Sequence, residues 1–158
     1  MNNNKFLSIF EWINEEPPQY GCIMLEADIP DWEAIHLSGI DENDIYVKPN
    51  CDEYGLEYTP HVTLLYGIHE DEIDPSVILD MMEQKLKPIT IEIKEIDVFE
   101  NEEYDVVKYN VPLTKELKYY RNLFLESFEN TQTFKDYKLY MTLCYCIKGS
   151  GSKYKKTL

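Results

Sequence analysis

Two short residue pairs in this chain have types and spacing that could act on a phosphate group. His61 and Thr63 form a His-x-Thr pair inside an apolar run, and Tyr140 and Thr142 form a Tyr-x-Thr pair 79 positions later. Thr-Leu-x-Tyr occurs in both copies. Because residues i and i+2 of an extended strand point to the same face, each pair should project its two side chains together. One imidazole, one phenol and two hydroxyls around a common cleft would suit a phosphate.

A histidine in an apolar run is, taken alone, more often a structural residue than a catalytic one. Three features favour a functional interpretation of His61. Pro60 precedes it and fixes an extended approach. Thr63 is expected on the same face, and the related pair recurs near the C-terminus. The other two histidines, His36 and His69, are predicted to be surface loop residues.

The second pair carries tyrosine where a two-histidine mechanism would need another imidazole. Histidine has an ordinary pKa of about 6.5 and exchanges protons near neutrality, whereas tyrosine, near 10, stays protonated. Tyr140 is therefore expected to donate a hydrogen bond, or a proton, to a leaving oxygen and not to accept one. The loss of one acid–base partner typically lowers a rate by about 10²- to 10⁴-fold.

Length, composition and charge restrict the class of protein. The 158 residues suit a single domain, and a hydrophobic fraction of 44% indicates a folded chain. No apolar run approaches the roughly 20 residues of a membrane helix, and no secretory signal is recognisable, so a cytoplasmic protein is expected. The net charge of −15 argues against binding of long nucleic acids. The basic C-terminal region from Lys135 onward still suits a compact phosphate ligand.

The four cysteines are predicted to be structural thiols. Cys22, Cys144 and Cys146 lie in apolar runs, where a cysteine behaves as a small buried hydrophobe. The Cys144-x-Cys146 pair lacks a second ligand pair at zinc-like spacing. We therefore expect neither a metal site nor a cofactor.

Hydrophobic periodicity predicts the elements that position the two pairs. Helices are predicted over residues 1–18, 32–37, 75–86 and 114–128. Strands are predicted over 21–27, 62–66, 89–96 and 105–111, and from Tyr140 onward. Residues 38–58 form a long loop, and 149–158 form a flexible basic tail. Two similar halves, each with a strand that carries an inward threonine, predict an α+β fold with a central antiparallel cleft.

The run from Tyr54 to Glu72 resembles the first motif of the 2H phosphoesterase superfamily, which includes 2′-5′ RNA ligase-like proteins. The resemblance spans roughly residues 20–156 and is greatest to the small versions found in bacteriophages. It implies a bilobal fold within one domain, 1–158, made of two pseudo-symmetric lobes. Two antiparallel sheets would face a central cleft, with the helices outside.

Family membership would also imply a function. Two His-x-Thr motifs face each other, the histidines act as general base and general acid on a phosphodiester, and the threonines hydrogen-bond its oxygens without a metal. Members act on 2′,3′-cyclic, 2′-5′ or 3′-5′ linkages. Some phage members are similar to enzymes that destroy the cyclic oligonucleotide signals of bacterial antiphage defence, which would place this protein in a host cytoplasm. His61, Thr63 and Thr142 match the motif, and Tyr140 departs from it.

Three interpretations remain open at this stage. The protein is a working phosphodiesterase, or it is a binding module that sequesters a small nucleotide or cyclic oligonucleotide, or its fold persists for protein contacts with a vestigial pocket. Tyr54 and Glu57, before the first motif, are candidates for lining the pocket, Tyr54 by stacking on a base. Lys148 and Lys153 flank the segment 149–152 and are candidates for closing over a phosphate.

Overall fold

Two antiparallel sheets and two α-helices make up the α+β fold of the computed structural model, which describes residues 20–132 and 136–158. The helix predicted over 1–18 lies outside the described residues. A two-stranded sheet contains β1 (Tyr20–Glu26) and β2 (His61–His69). A four-stranded sheet, in the order β5-β4-β3-β6, contains β3 (Glu95–Glu100), β4 (Tyr104–Asn110), β5 (Tyr140–Ile147) and β6 (Lys156–Thr157).

The two helices are α1 (Pro75–Lys85) and α2 (Lys115–Ser127), and both begin at the caps that the sequence predicts. The side chain of Asp74 accepts a hydrogen bond from the Ser76 amide, and that of Thr114 accepts one from the Leu117 amide. Shorter helical turns span Glu33–Leu37, Glu42–Asp44, Glu70–Glu72 and Gly151–Tyr154. No helix in the described part of the chain is long and apolar enough to span a membrane.

One buried apolar cluster connects both sheets with α2. Leu117 and Phe124 on α2 are fully buried, and the helix packs on β2. α1 contributes only partly buried side chains, and its apolar residue Val77 is half exposed. Cys144 and Cys146 are buried as predicted. The prediction for Cys22 is wrong, because Cys22 pairs with the exposed Tyr66 and lies on the open face of its sheet.

The two Thr-Leu-x-Tyr motifs share the same irregularity, an extra residue directly after the threonine. Thr63 lies opposite Met24 and Leu65 lies opposite Ile23, which leaves Leu64 as the extra residue of β2. In β5, Thr142 lies opposite Lys108 and Cys144 lies opposite Val107, which leaves Leu143. Such a β-bulge shifts the alternation of side chains by one position. Two adjacent apolar residues are therefore buried, and the tyrosine returns to the same face as the threonine.

The long loop predicted over 38–58 covers the free edge of β5. The amides of Tyr46 and Glu57 donate to the carbonyls of Tyr145 and Leu143, both at 2.9 Å, and the Tyr145 amide donates to Gly55 at 2.9 Å. The loop thus satisfies edge groups that would otherwise be unpaired. The loop leads directly into β2, which begins four residues after Glu57.

The strand predicted over 89–96 is wrong for most of its length, since β3 begins only at Glu95. The alternating isoleucines of this segment pack against the core as expected, namely Ile89, Ile91 and Ile93. They are not part of a β-strand, however, because β3 starts after them. The register of β3 and β4 pairs Ile96 with Tyr109, so its continuation would place Ile93 opposite Pro112. Proline has no amide proton to donate, and α2 begins three residues later.

The segment predicted as a flexible tail, 149–158, has regular structure. The fully buried Asp105 carboxylate accepts hydrogen bonds from the amides of Gly149 and Gly151, at 2.9 and 3.0 Å. Beyond the helical turn at Gly151–Tyr154, β6 pairs with β3. A buried carboxylate needs such donors, since an uncompensated buried charge is strongly unfavourable.

We expect Gly67→Ala to lower the free energy of unfolding by about 2–5 kcal/mol. Gly67 is the extra residue of a second irregularity in β2, with φ of +95°, and an added Cβ would overlap the carbonyl oxygen of Thr131. Gly39→Ala is the matched control, because nothing lies within 4 Å of its added Cβ, and it should change stability by less than about 1 kcal/mol. Denaturant titration measures both. Equal effects would contradict the assigned bulge.

Asp105→Asn should lower the free energy of unfolding by about 2–3 kcal/mol, because its two hydrogen bonds to amides lose the charge that strengthens them. Asp52→Asn, at an exposed loop position, is the control and should change stability by at most about 0.5 kcal/mol. Chemical denaturation followed by circular dichroism makes the comparison. A loss no greater than that of the control would show that Asp105 does not hold the C-terminal segment.

Candidate functional site

His61 and Thr63 lie together on the open face of β2, as their spacing predicts. Their partners across the sheet are Glu26 and Met24, both exposed on β1. The intervening Val62 is buried in the core. His61 and Thr63 are themselves partly exposed, so an imidazole and a hydroxyl are presented to solvent from a strand whose other face is fixed by packing.

The ring of His61 is held in one tautomer by the backbone. Its Nδ1 lies 2.8 Å from the carbonyl oxygen of Thr59. A carbonyl oxygen only accepts, so Nδ1 must carry the proton and donate it. In the neutral ring, Nε2 is then left with a free lone pair. This is the arrangement that a general base requires.

The other two histidines are engaged with neighbouring side chains, and neither is the loop residue that was predicted. Nδ1 of His36 lies 2.8 Å from the Tyr109 hydroxyl, and burial lowers the pKa of His36. His69 ends β2, with Nε2 at 2.7 Å from the Thr131 hydroxyl and Nδ1 at 3.2 Å from Glu72. Both imidazoles connect structural elements, which leaves His61 as the histidine suited to chemistry.

Tyr140 and Thr142 share the open face of β5, and the bulge brings Tyr145 to the same face. The Tyr140 side chain is 45% exposed and Thr142 is 8% exposed. Burial, and secondarily the neighbouring Tyr104, raises the pKa of Tyr140. Its hydroxyl therefore stays protonated at neutral pH and acts as a hydrogen-bond donor.

The two threonine hydroxyls have unused hydrogen-bonding capacity. Within 20–132 and 136–158, no residue forms a hydrogen bond with Oγ1 of Thr63 or Thr142. Other threonines in this part of the chain are bonded, such as Thr114 at its helix cap and Thr131 with His69. The two hydroxyls occupy corresponding positions of corresponding strands, but Thr63 is partly exposed whereas Thr142 is buried.

Tyr137 connects the two pairs, although the sequence alone did not single it out. Its hydroxyl donates to the carbonyl oxygen of Thr63 at 2.7 Å, three residues before Tyr140. The Arg121 guanidinium lies 4.1 Å from the centre of its ring. Burial raises the pKa of Tyr137 to about 12, with Arg121 opposing and Tyr140 adding to the shift. Tyr137 thus contacts the backbone of one pair and lies three residues before the other.

The chain path also keeps the two pairs near each other. β2 lies beside β5, and the Glu57 amide is bonded to the Leu143 carbonyl. Glu57 and His61 are four positions apart along the chain, a span of about 14 Å at most. The carboxylate of Glu57 accepts from the Thr59 amide at 3.1 Å, so this predicted pocket residue helps to shape the approach to His61.

Tyr54 lies in an aromatic cluster with three other tyrosines. Its ring centre is 5.2 Å from those of Tyr46 and Tyr104 and 5.3 Å from that of Tyr145. Since Tyr145 shares the face of Tyr140 and Thr142, the cluster borders this face. The proposed stacking of Tyr54 on a base stays a prediction.

Lys148 and Lys153 are both directed at carboxylates. Nζ of Lys148 lies 3.8 Å from Oδ1 of the buried Asp105, and Nζ of Lys153 lies 2.6 Å from Oδ2 of Asp44. Burial, together with the bond to Asp44, raises the pKa of the adjacent Tyr154 to about 12. The two lysines therefore have roles in anchoring the C-terminal segment, and phosphate binding by either stays a prediction.

Lys108 is a charged residue on this face that sequence analysis missed. It lies on β4 directly opposite Thr142, and its Nζ is 5.5 Å from the centre of the Tyr140 ring. The available signal was a single lysine inside the otherwise apolar run Val106–Tyr109. Alternation with a period of two residues does not predict that the strand with Tyr140 and Thr142 lies next to Lys108.

Two shallow depressions lie near the edge formed by β3 and β6. The larger has a volume of about 350 Å³ and is lined in part by Glu95, Asn110 and Leu158. Neither depression includes a member of the two motif pairs. In the described residues there is no group of three or more His, Cys, Asp or Glu side chains arranged to hold a metal ion.

In comparisons with known proteins, no protein-family model, curated protein or solved structure matches the chain.

Proposed function

We propose that this protein is a metal-independent phosphodiesterase of the 2H phosphoesterase type, acting on a cyclic nucleotide or cyclic oligonucleotide. In this proposal the open faces of β2 and β5 line one cleft between two pseudo-symmetric lobes. The ligand phosphate lies between the hydroxyls of Thr63 and Thr142. His61 acts as the general base and Tyr140 as the proton donor.

The observation that carries the proposal is the hydrogen bond from His61 Nδ1 to the Thr59 carbonyl at 2.8 Å. In the neutral ring it leaves the Nε2 lone pair free, on the same strand face as the Thr63 hydroxyl, which has no partner within the described residues. The structural histidines differ from His61 in bonding to side chains of distant elements, His36 to Tyr109 and His69 to Thr131. The availability of both threonine hydroxyls is the second support.

The proposed reaction is an in-line hydrolysis of a phosphodiester. His61 Nε2 takes a proton from the attacking water as its oxygen forms a bond to phosphorus. The ester bond between phosphorus and the leaving oxygen breaks, and the Tyr140 hydroxyl gives its proton to that oxygen. The phenolate then regains a proton from the imidazolium through solvent. Hydrogen bonds from the threonines stabilise the charge that develops on the phosphoryl oxygens.

A second candidate function is sequestration of the same ligand without turnover. The raised pKa of Tyr140 favours it, because a phenol that resists ionisation is a slow acid and no base at neutral pH. Binding depends on the hydroxyls more than on proton transfer, so a cleft of this composition retains a ligand even where catalysis is weak. By the resemblance to phage proteins, either activity would remove a nucleotide signal of host defence in the host cytoplasm.

The direct test is a product assay. The protein is incubated with 2′,3′-cyclic nucleotides and with cyclic di- and trinucleotides, and the products are separated by chromatography. Linear products that require His61, as shown by their loss in His61→Ala, support hydrolysis. Intact ligand that co-purifies and is released by heat supports sequestration. Neither product nor bound ligand for any of these compounds would overturn the proposal.

Tyr140→His should raise phosphodiesterase turnover by at least about tenfold, because an imidazole exchanges protons near neutrality far better than a phenol. Tyr119→His is the control. It makes the same substitution at an exposed position of α2 and should leave turnover unchanged. Initial rates at pH 7 compare the two variants. Unchanged or lower turnover in Tyr140→His would show that Tyr140 does not occupy the catalytic position.

The double variant Thr63→Val/Thr142→Val should weaken nucleotide binding by about 10-fold or more while the fold is retained. Valine has nearly the shape of threonine but lacks the hydroxyl, so two hydrogen bonds of about 1 kcal/mol each are lost. Thr90→Val/Thr157→Val, at two exposed positions, is the control. Calorimetric titration gives the affinities. Full-strength binding by the first variant would place the ligand elsewhere.

A further inference from the structure

A phosphodiester brings a negative charge to a site whose four motif side chains supply no positive one. The two threonines and the protonated phenol are neutral, and a histidine that acts as a base is neutral as well. The body of the protein is acidic, with a net charge of −15. Removing an anion from water without a compensating charge is costly, so a phosphate site here needs a cation.

Lys108 is placed to supply that charge. It is the cross-strand partner of Thr142, and its neighbour Asn110 is the partner of Tyr140, so all four side chains lie on one face. The ammonium lies 5.5 Å from the centre of the Tyr140 ring, within the range of a cation–π contact. The cation is therefore on the half of the proposed cleft that lacks a histidine.

The hydrogen bonds of Lys108 hold its side chain in place and leave donors unused. Nζ donates to Oδ1 of Asn110 at 2.6 Å, and Nδ2 of Asn110 donates to Glu95 at 2.9 Å. An ammonium group has three donors, and one is used here. Within the described ranges no carboxylate lies within ion-pair distance of Nζ, in contrast to Lys148 and Lys153.

Lys108 lies between two cross-strand partners, Thr142 on β5 and the acidic Asp97 on β3. Asp97 and Glu95 on β3 raise its pKa, while Lys138, before β5, lowers it. Desolvation by burial is the largest effect, and the pKa of Lys108 lies below its ordinary value. Burial of a cation beyond contact distance of a counter-ion is unfavourable, and a bound phosphate would relieve that cost.

We propose that Lys108 binds the ligand phosphate directly, as the cation that complements the hydroxyls of Thr63 and Thr142. The inference rests on the proposed function and makes it more specific. The ligand must present an anionic phosphate oxygen on the side of Tyr140, where Lys108 donates a charge-assisted hydrogen bond to it. Tyr140 and Lys108 then act on the same phosphate from neighbouring strands.

The test is the affinity of wild type and of Lys108→Met for 2′,3′-cyclic AMP and cyclic di-AMP, measured by calorimetric titration at low and moderate salt. Methionine keeps the apolar stem and removes the charge. We expect affinity to fall about 10- to 100-fold, the loss of one charge-assisted hydrogen bond, and the salt dependence of binding to diminish. Lys108→Arg should stay within about tenfold of wild type.

Lys118→Met, on the exposed side of α2, is the matched control and should bind as wild type does. Lys108→Gln repeats the test should the methionine variant fail to fold, as judged by circular dichroism. Wild-type affinity in the uncharged variants would overturn the inference, and the proposed function would stand if the double threonine variant still lost affinity. A third outcome would overturn both the inference and the proposed function. In that outcome wild type binds neither nucleotide, and inorganic phosphate raises the Tm of wild type no more than the Tm of Lys108→Met.

Discussion

The extra residue after each motif threonine determines which side chains of β2 and β5 face away from the core. A regular strand would bury every second side chain, so the tyrosine of Thr-Leu-x-Tyr would enter the core three positions after a threonine that faces outward. The bulges at Leu64 and Leu143 bury two adjacent residues and restore the outward face. The same irregularity in both strands places a threonine and a tyrosine on one face of each, and neither threonine hydroxyl is hydrogen-bonded to a described residue.

Contacts outside the strands hold these two faces near each other. The loop over 45–57 is hydrogen-bonded to the edge of β5 and then leads into β2. Tyr137, which precedes β5, donates a hydrogen bond to the Thr63 carbonyl on β2. Asp105 fixes the segment after β5 through two glycine amides. Each is a hydrogen bond between distant parts of the chain, and together they set the relative position of strands that do not share a ladder.

The two halves of the site differ in chemistry although they match in geometry. On β2, the bond from His61 Nδ1 to the Thr59 carbonyl fixes the tautomer that the proposed base requires. On β5, Tyr140 is a donor with a raised pKa, and Lys108 lies beside it as a partly buried cation. A phosphate between them would meet a proton acceptor on one side and donors on the other. Under the proposed function, this asymmetry would assist binding of a phosphodiester more than it assists proton transfer.

Features that depend on neighbours along the chain can be predicted from the sequence. The shared faces of His61 with Thr63 and of Tyr140 with Thr142 follow from strand period, and the helix starts at Asp74 and Thr114 follow from local capping. The pairing of the strands and their register become visible in the folded structure alone. The register of β1 with β2 places Cys22 on the exposed face. The register of β3 with β4 would bring residues 89–94 towards Pro112, where no ladder forms. The register of β4 with β5 places Lys108 opposite Thr142. Cross-strand partners are distant in sequence, and no local pattern encodes their alignment.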